Sequence, residues 1–211
     1  MTELYYVVRK SSIESMKPPL LVLLHGVGSN EQDLFSFADR LPGKYLVVSV
    51  RAPYVLGPNR FAWYEVDLNK GAPIINAEQA EQSRKTILHF LDKLKANHPY
   101  DESSVYFCGF SQGAIMSYNV GLTRPDLIHG IAIMSGRLLS EIKPIIKKQD
   151  QLKDLKVFIS HGTKDQVLNY QYAMDAKDYL ISLGIAPNYH EYDAGHTIND
   201  AMLNDLIQWL N

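Results

Sequence analysis

Five short aliphatic runs limit the architectures open to this chain of 211 residues more than any other feature: Leu20 to Leu24, Leu46 to Val50, Val105 to Phe107, Ile131 to Met134 and Val157 to Ile159. Four of the five are bounded by Gly, Pro, Ser or His, and all but Leu46 to Val50, which carries Ser49, are apolar on consecutive rather than alternate residues. A strand with one wet face alternates, so unbroken apolar runs of this length fit strands covered on both faces. Between them lie stretches of helical length. The clearest runs from Ala77 to Asn97, where Ile87, Leu88, Leu91 and Leu94 recur at spacings of three and four, and where Asn76 and Gln79 are placed to close the first turn reciprocally. Further helices are predicted after Asn30, after Ser111, from Asn169 to about Leu183 ahead of Gly184, and from Asn199 to Leu210. Leu4 to Val8 and Pro187 to Tyr192 supply candidate outer strands. The alternation predicts an α/β fold with a mostly parallel central sheet flanked by helices on both faces. With no repeat, low-complexity tract or linker in view, residues 1–211 are expected to form one domain.

Composition narrows the function classes. Lys and Arg number 21 against 23 Asp and Glu, a net charge of −2, which supplies no cationic field for phosphate backbones or anionic lipid headgroups. Nucleic acid is therefore not an expected partner. The longest wholly aliphatic run, Leu20 to Leu24, falls far short of the roughly 20 residues needed to cross a bilayer, so no stable membrane insertion is expected. The lone cysteine, Cys108, cannot form an internal disulfide and reads as a small buried hydrophobe, and the start Met-Thr-Glu-Leu-Tyr-Tyr lacks the pattern of a signal peptide; a cytoplasmic address is the expectation.

The sharpest chemical signal is Gly109-Phe110-Ser111-Gln112-Gly113, set between a strand and the helical pattern Ala114-Ile115-Met116-Ser117-Tyr118. In that context G-x-S-x-G is a nucleophile elbow: small flanking residues permit a strained turn that lifts the serine hydroxyl clear of the sheet. A serine hydroxyl is a weak nucleophile and needs a base within hydrogen-bond reach, itself oriented by a carboxylate. Chain order on such scaffolds runs serine, acid, histidine, with the last two in loops after later strands. Asp165, after the run Val157 to Ile159, and His196, in Asp193-Ala194-Gly195-His196, fit that order. Asp193, Glu191 and Asp154 are rival acids that do not end a strand in a loop. Among other histidines, His25 and His161 end strands but are followed at once by glycine and read as structural hydrogen-bonders. No zinc-ligand spacing occurs, and no metal or cofactor is expected.

The oxyanion of a tetrahedral intermediate needs two backbone N–H donors. Gln112 is placed to supply one, and Val27, between Gly26 and Gly28 after the first apolar run, the other. The same segment tempts a dinucleotide-binding reading, but Glu31 stands where the third glycine belongs, and downstream the chain offers Arg51, suited only to a 2′-phosphate.

Taken together, Leu24-His25-Gly26-x-Gly28, Arg51-Ala52-Pro53, Trp63-Tyr64, the elbow, His161-Gly162-Thr163-x-Asp165-x-Val167 and Gly195-His196 resemble the phospholipase/carboxylesterase family of α/β-hydrolases, which also holds the acyl-protein thioesterases. The resemblance covers nearly the whole chain. It implies an α/β-hydrolase fold, a serine carboxylesterase acting on carboxylic esters, thioesters or lysophospholipids of short to medium acyl chains, and no cofactor. It places the nucleophile on Ser111, the acid on Asp165, the base on His196 and the oxyanion donors on Val27 and Gln112. Thioesterase members carry an acid straight after the second glycine of the oxyanion loop; Ser29-Asn30 here is closer to the bacterial esterase branch.

Specificity is expected from residues rimming the serine: Tyr54, Phe61, Trp63 and Tyr64 in the long loop Arg51 to Ile75, Leu138 and Leu139 after a strand, and Val167 and Leu168 after the acid. The stretch Arg137 to Asp154 is too short for a large lid domain, so an open, shallow site is expected, with Lys143, Lys147 and Lys148 on a solvated face. The expected partner is a small-molecule ester, and a homodimer is compatible with the sequence. The reading from a different class is a non-catalytic small-molecule binder on a hydrolase scaffold.

Overall fold

The computed structural model describes residues 3–67 and 74–211. In chain order the elements are β1 (Tyr6–Arg9), β2 (Pro19–Leu24), α1 (Gln32–Phe35), β3 (Leu46–Val50), β4 (Tyr54–Gly57), β5 (Arg60–Ala62), β6 (Val66–Asp67), β7 (Ile74–Ile75), α2 (Ala77–Asn97), β8 (Asp101–Phe110), α3 (Gln112–Gly121), β9 (Gly130–Met134), α4 (Gln149–Leu152), β10 (Lys156–Gly162), α5 (Gln171–Ser182), β11 (Asn188–Tyr192) and α6 (Asp200–Leu210). Seven strands form one sheet in the order β1-β3-β2-β8-β9-β10-β11, parallel throughout except that β1 runs antiparallel to β3.

The apolar runs become these strands because each buries both sides. Along β2, Leu20, Val22 and Leu24 face one core while Leu21 and Leu23 face the other; β8 splits Val105 and Phe107 from Tyr106 and Cys108 in the same period of two. One face is covered by α2, α3 and α5, through Ile87, Leu91 and Leu94, Ile115 and Tyr118, and Ala176 and Leu180. The other is covered by Leu34 of α1 and by Met202, Leu203, Leu206 and Leu210 of α6. This is an α/β-hydrolase architecture. The chain passes from β2 to β3 on one side and returns to β8 on the other, so the order reverses at β2; crevices at the carboxyl ends of strands around such a reversal bind ligands.

Two local expectations are corrected. The start of α2 is not closed reciprocally: the Gln79 N–H donates to Asn76 Oδ1 at 3.1 Å, but the Asn76 N–H is already given to the Glu65 carbonyl, and the Gln79 side chain turns to the Glu65 N–H and carboxylate instead. The helix start is thereby tied to the loop before it. That loop, in turn, holds two small antiparallel ribbons, β4–β5 and β6–β7, although its residues 68–73 lie outside the described ones. Between β9 and β10 the chain makes only a 3₁₀ segment, Ser140–Ile145, and the single turn α4, so no lid domain stands over the sheet. No helix among the described residues is long and apolar enough to cross a membrane.

Trp63 is wholly enclosed, its indole N–H donating to the His25 carbonyl at 2.9 Å. Trp63→Ala is expected to lower unfolding free energy by about 3–5 kcal/mol, measured by urea denaturation. Cys108 lies within β8, and burial pushes its thiol up to about 12. The folded protein should therefore leave a thiol-disulfide reagent at pH 8 unreacted and release one equivalent only on unfolding.

Candidate active site

The elbow is forced by two close approaches of backbone. A Cβ on Gly109 would collide with the carbonyl of Gly113, and one on Gly113 would collide with the Leu24 carbonyl oxygen at the end of β2. Neither clash can be relieved by a side-chain rotation, so both glycines are structurally required. Between them Ser111 takes φ +54° and ψ −116°, outside the regions open to most L-residues, and its N–H donates to the Met134 carbonyl of β9 at 3.0 Å. The helix α3 starts at the next residue.

His196 reaches this serine from the loop between β11 and α6. Its Nε2 lies 2.9 Å from Ser111 Oγ and its Nδ1 lies 2.6 Å from Asp165 Oδ2. A carboxylate oxygen accepts, so Nδ1 carries the proton and Nε2 is left to accept from the serine hydroxyl. The ring rests on Phe110 at a centroid distance of 4.9 Å.

Asp165 is held from every side. Its Oδ1 accepts from the N–H groups of Val167 at 2.8 Å and Leu168 at 2.9 Å; its Oδ2 accepts from His196 and stands 3.3 Å from His161 Nε2. The His161 Nε2–H also meets the Leu168 carbonyl at 2.8 Å, which fixes the tautomer, and burial lowers the pKa of this imidazole and keeps it neutral. Backbone bonds then join the acid loop to the histidine loop, Thr163 N–H to the Tyr192 carbonyl and Lys164 N–H to the Ala194 carbonyl. The two rival acids beside the histidine are occupied elsewhere: Asp193 pairs with Lys164 and Glu191 accepts from the Tyr170 hydroxyl.

His25 stabilises the other side. Its Nε2 accepts from the Ala52 N–H at 3.0 Å and its Nδ1–H donates to the Gly26 carbonyl at 2.7 Å, with burial lowering its pKa. This anchors the Gly26–Ser29 turn, which passes so close to the serine that a Cβ on Gly26 would lie 3.4 Å from Ser111 Cβ. The N–H groups of Val27 and Gln112 donate to no acceptor among the described residues. The Gln112 side chain is engaged at both ends, accepting from the Trp63 N–H and donating to the Tyr64 carbonyl, both at 2.7 Å.

Of the expected wall residues, Tyr54, Phe61, Leu138 and Leu168 are half-buried and Val167 is 67% exposed. Trp63 and Tyr64 are buried instead, because the Gln112 amide and the Ser83 hydroxyl tie their backbone into the core. Leu139 is buried as well, although it contributes with Leu138 to a cleft of about 260 Å³.

The pairing of Glu31 with Arg51 escapes sequence reasoning. Arg51 Nε and a terminal nitrogen donate to the two Glu31 carboxylate oxygens at 2.6 and 2.7 Å, and the guanidinium is stacked between Tyr5 and Phe61 at 4.3 and 4.5 Å. The residue that breaks the dinucleotide fingerprint and the one that could meet a 2′-phosphate thus satisfy each other. Phe61 also exchanges backbone hydrogen bonds with Ser29 and Gly28, so the pair locks ribbon β4–β5 onto the turn beside the serine. The signal was a lone acid after a glycine turn and a lone arginine after β3, which are unremarkable apart.

The phospholipase/carboxylesterase family model matches residues 7–211. A probable carboxylesterase SOBER1-like of Arabidopsis thaliana is 27% identical over 210 residues, spanning 93% of this chain and 79% of that protein. Acyl-protein thioesterase 1 of Yarrowia lipolytica is 27% identical over 156 residues, 71% of this chain and 67% of its own. The crystal structure of esterase PE8 superposes with a TM-score of 0.85 at 28% identity, covering 99% of this chain and 98% of the other. A match over almost the full length, on a sheet that brings the elbow serine, a histidine and a buried carboxylate together, makes this chain a hydrolase of the phospholipase/carboxylesterase family.

Proposed function

We propose that the protein is a serine carboxylesterase that cleaves carboxylic esters, including thioesters or lysophospholipids, of short to medium acyl chains through an acyl-enzyme intermediate. The observation that carries this reading is the unbroken line Ser111 Oγ, His196, Asp165, with contacts of 2.9 and 2.6 Å. The printed names of the relatives, carboxylesterase and acyl-protein thioesterase, support the reaction class.

In this mechanism Ser111 Oγ attacks the ester carbonyl carbon while its proton passes to His196 Nε2. The carbonyl oxygen becomes an oxyanion and accepts from the N–H groups of Val27 and Gln112. The His196 Nε2–H then protonates the leaving alkoxide or thiolate oxygen or sulfur as the carbonyl reforms, leaving the acyl group on Ser111. A water molecule, deprotonated by the same Nε2, attacks the acyl carbon, and collapse returns the proton to Ser111 Oγ and releases the acid. Asp165 holds the imidazole in the required tautomer and stabilises it while it is charged; its four N–H neighbours keep the carboxylate from rotating away. Ser29-Asn30 after the second glycine of the oxyanion turn supports oxygen esters over lipidated proteins as substrates.

A fluorophosphonate probe should label the protein, and Ser111→Ala should abolish the label; an unmodified Ser111 would instead favour a binder without an activated serine. On an aryl ester, Ser111→Ala and His196→Ala are each expected to lower kcat by on the order of 10⁶, and Asp165→Asn by about 10⁴ through the wrong imidazole tautomer. Near-normal turnover in the Asp165 variant would remove that residue from the mechanism.

A further inference from the structure

Beyond Ser111 the chain places a second set of polar groups that the reaction does not use. Strand β9 ends at Met134, whose carbonyl holds the Ser111 N–H. The next residue, Ser135, is a buried non-glycine at φ +51°, and a Cβ on Gly136 would press against Ala114 of α3. This tight, strained turn delivers Arg137 and Leu138 into the cleft of about 260 Å³, whose far wall is α5 with Tyr172, Ala176 and Tyr179.

Hydrogen bonding in this cleft is lopsided. Arg137 makes no hydrogen bond and no ion pair among the described residues, and its Nε is sealed from solvent without a partner. Its guanidinium lies 5.4 Å from the Tyr172 ring centroid. Lys143, also in the lining, forms no ion pair among the described residues and lies 4.6 Å from the Tyr179 ring centroid. The two lining carboxylates have donors of their own: Glu141 accepts from the Ser140 hydroxyl at 3.0 Å and Asp175 from the Gln171 amide at 2.8 Å. Formal charge in the lining balances, so net attraction decides nothing. What is unmatched is a planar fork of N–H donors with no acceptor, on a side chain held by aromatic stacking, beside the segment that supports the elbow.

We infer that this cleft is a subsite for a carboxylate carried by the ester substrate, bound by the Arg137 fork with Lys143 as the second cation. The inference rests on the proposed esterase reaction and narrows its substrate class to esters with an acidic end. A carboxylate presents two oxygens in the plane that a guanidinium matches. A doubly charged phosphate would meet stronger repulsion from the lining carboxylates Glu141 and Asp175 than a monoanion does, which favours the carboxylate. The volume is just under the roughly 300–1,000 Å³ of pockets for drug-sized ligands, suiting a short diacid rather than a long chain. Leu138 and Leu139 supply the apolar wall for the methylenes between the two ends.

The test uses two matched pairs of esters. The first puts the acid on the acyl side: the mono-4-nitrophenyl ester of glutaric acid against its methyl-capped neutral form. The second puts it on the alcohol side: 4-butyryloxybenzoate against its methyl ester. The expected result is a higher kcat/KM for the charged member of one pair, the pair identifying which side of the ester enters the cleft. Arg137→Gln should then raise KM for that charged ester by tenfold or more, leave kcat on both members within about twofold, and leave KM for the neutral member within about twofold. Lys143→Gln should act in the same direction by a smaller factor, which keeps the inference testable should Arg137→Gln fail to fold. Equal effects of these substitutions on charged and neutral esters, or no preference for the charged member in either pair, would overturn it. If no ester is turned over, the esterase reading fails on its own, and calorimetric binding of glutarate to the wild-type protein decides the subsite. Binding weakened tenfold or more by Arg137→Gln supports it, whereas no binding, or binding indifferent to the substitution, overturns it.

Discussion

The contact on which the arrangement depends is the one between two main chains where the start of α3 crosses the end of β2. Because Gly113 has no side chain, the helix can sit against the Leu24 carbonyl, and the turn before it has no choice but to lift Ser111 off the sheet at positive φ. The same proximity brings the Gly26–Ser29 turn alongside the serine, so hydroxyl and neighbouring backbone donors are assembled by one packing event rather than several. An alanine at 113 would therefore separate β2 from α3 and disturb Ser111 and the Gly26–Ser29 turn together, which is why the strain at Ser111 is tolerable: the surrounding backbone over-determines it.

Around that fixed point two buried imidazoles act as rigid spacers. His25 and His161 are both kept neutral by burial, and each is held in one tautomer by a carbonyl on one nitrogen. His25 spans from the β2 turn to the Ala52 amide, and His161 from β10 to Leu168 and Asp165. A neutral ring can hold a carboxylate in place through an N–H without supplying a competing positive charge beside His196.

Much of this was legible in the residues. Runs with both faces buried are apolar almost throughout, so all five registered as strands, and β3 keeps the bounds Leu46–Val50 that its sequence marks although it buries Ser49 as well. The helix Ala77–Asn97 was legible because Ile87, Leu88, Leu91 and Leu94 recur at helical spacing along its second half. The elbow, Asp165 and His196 could be found because the turn needs small residues and the later strands end where the loops begin. What sequence does not carry is pairing across distance. Nothing in Glu31 or Arg51 announces the other, Gln79 gave no sign of preferring Glu65 to its own helix start, and the ribbons inside the long loop are too short for a periodic signal. Aromatic character told that Trp63 and Tyr64 would be near the serine but not which way they would turn; that was decided by the Gln112 amide and the Ser83 hydroxyl, bonds between positions far apart in the chain.

The stacking of Arg51 between Tyr5 and Phe61 links two regions that differ in how firmly they are anchored. Tyr5 immediately precedes the edge strand β1, which pairs with one neighbour only, and its carbonyl accepts from the Arg51 N–H at 2.9 Å. Edge strands open more readily than central ones. Each time the amino-terminal segment peels from the sheet, Arg51 loses a plate of its sandwich, and the Glu31 clamp over the glycine turn loosens with it. Slow amide exchange at the turn and at the edge should thus rise and fall in concert, making a distant fraying event a rhythm felt beside the serine.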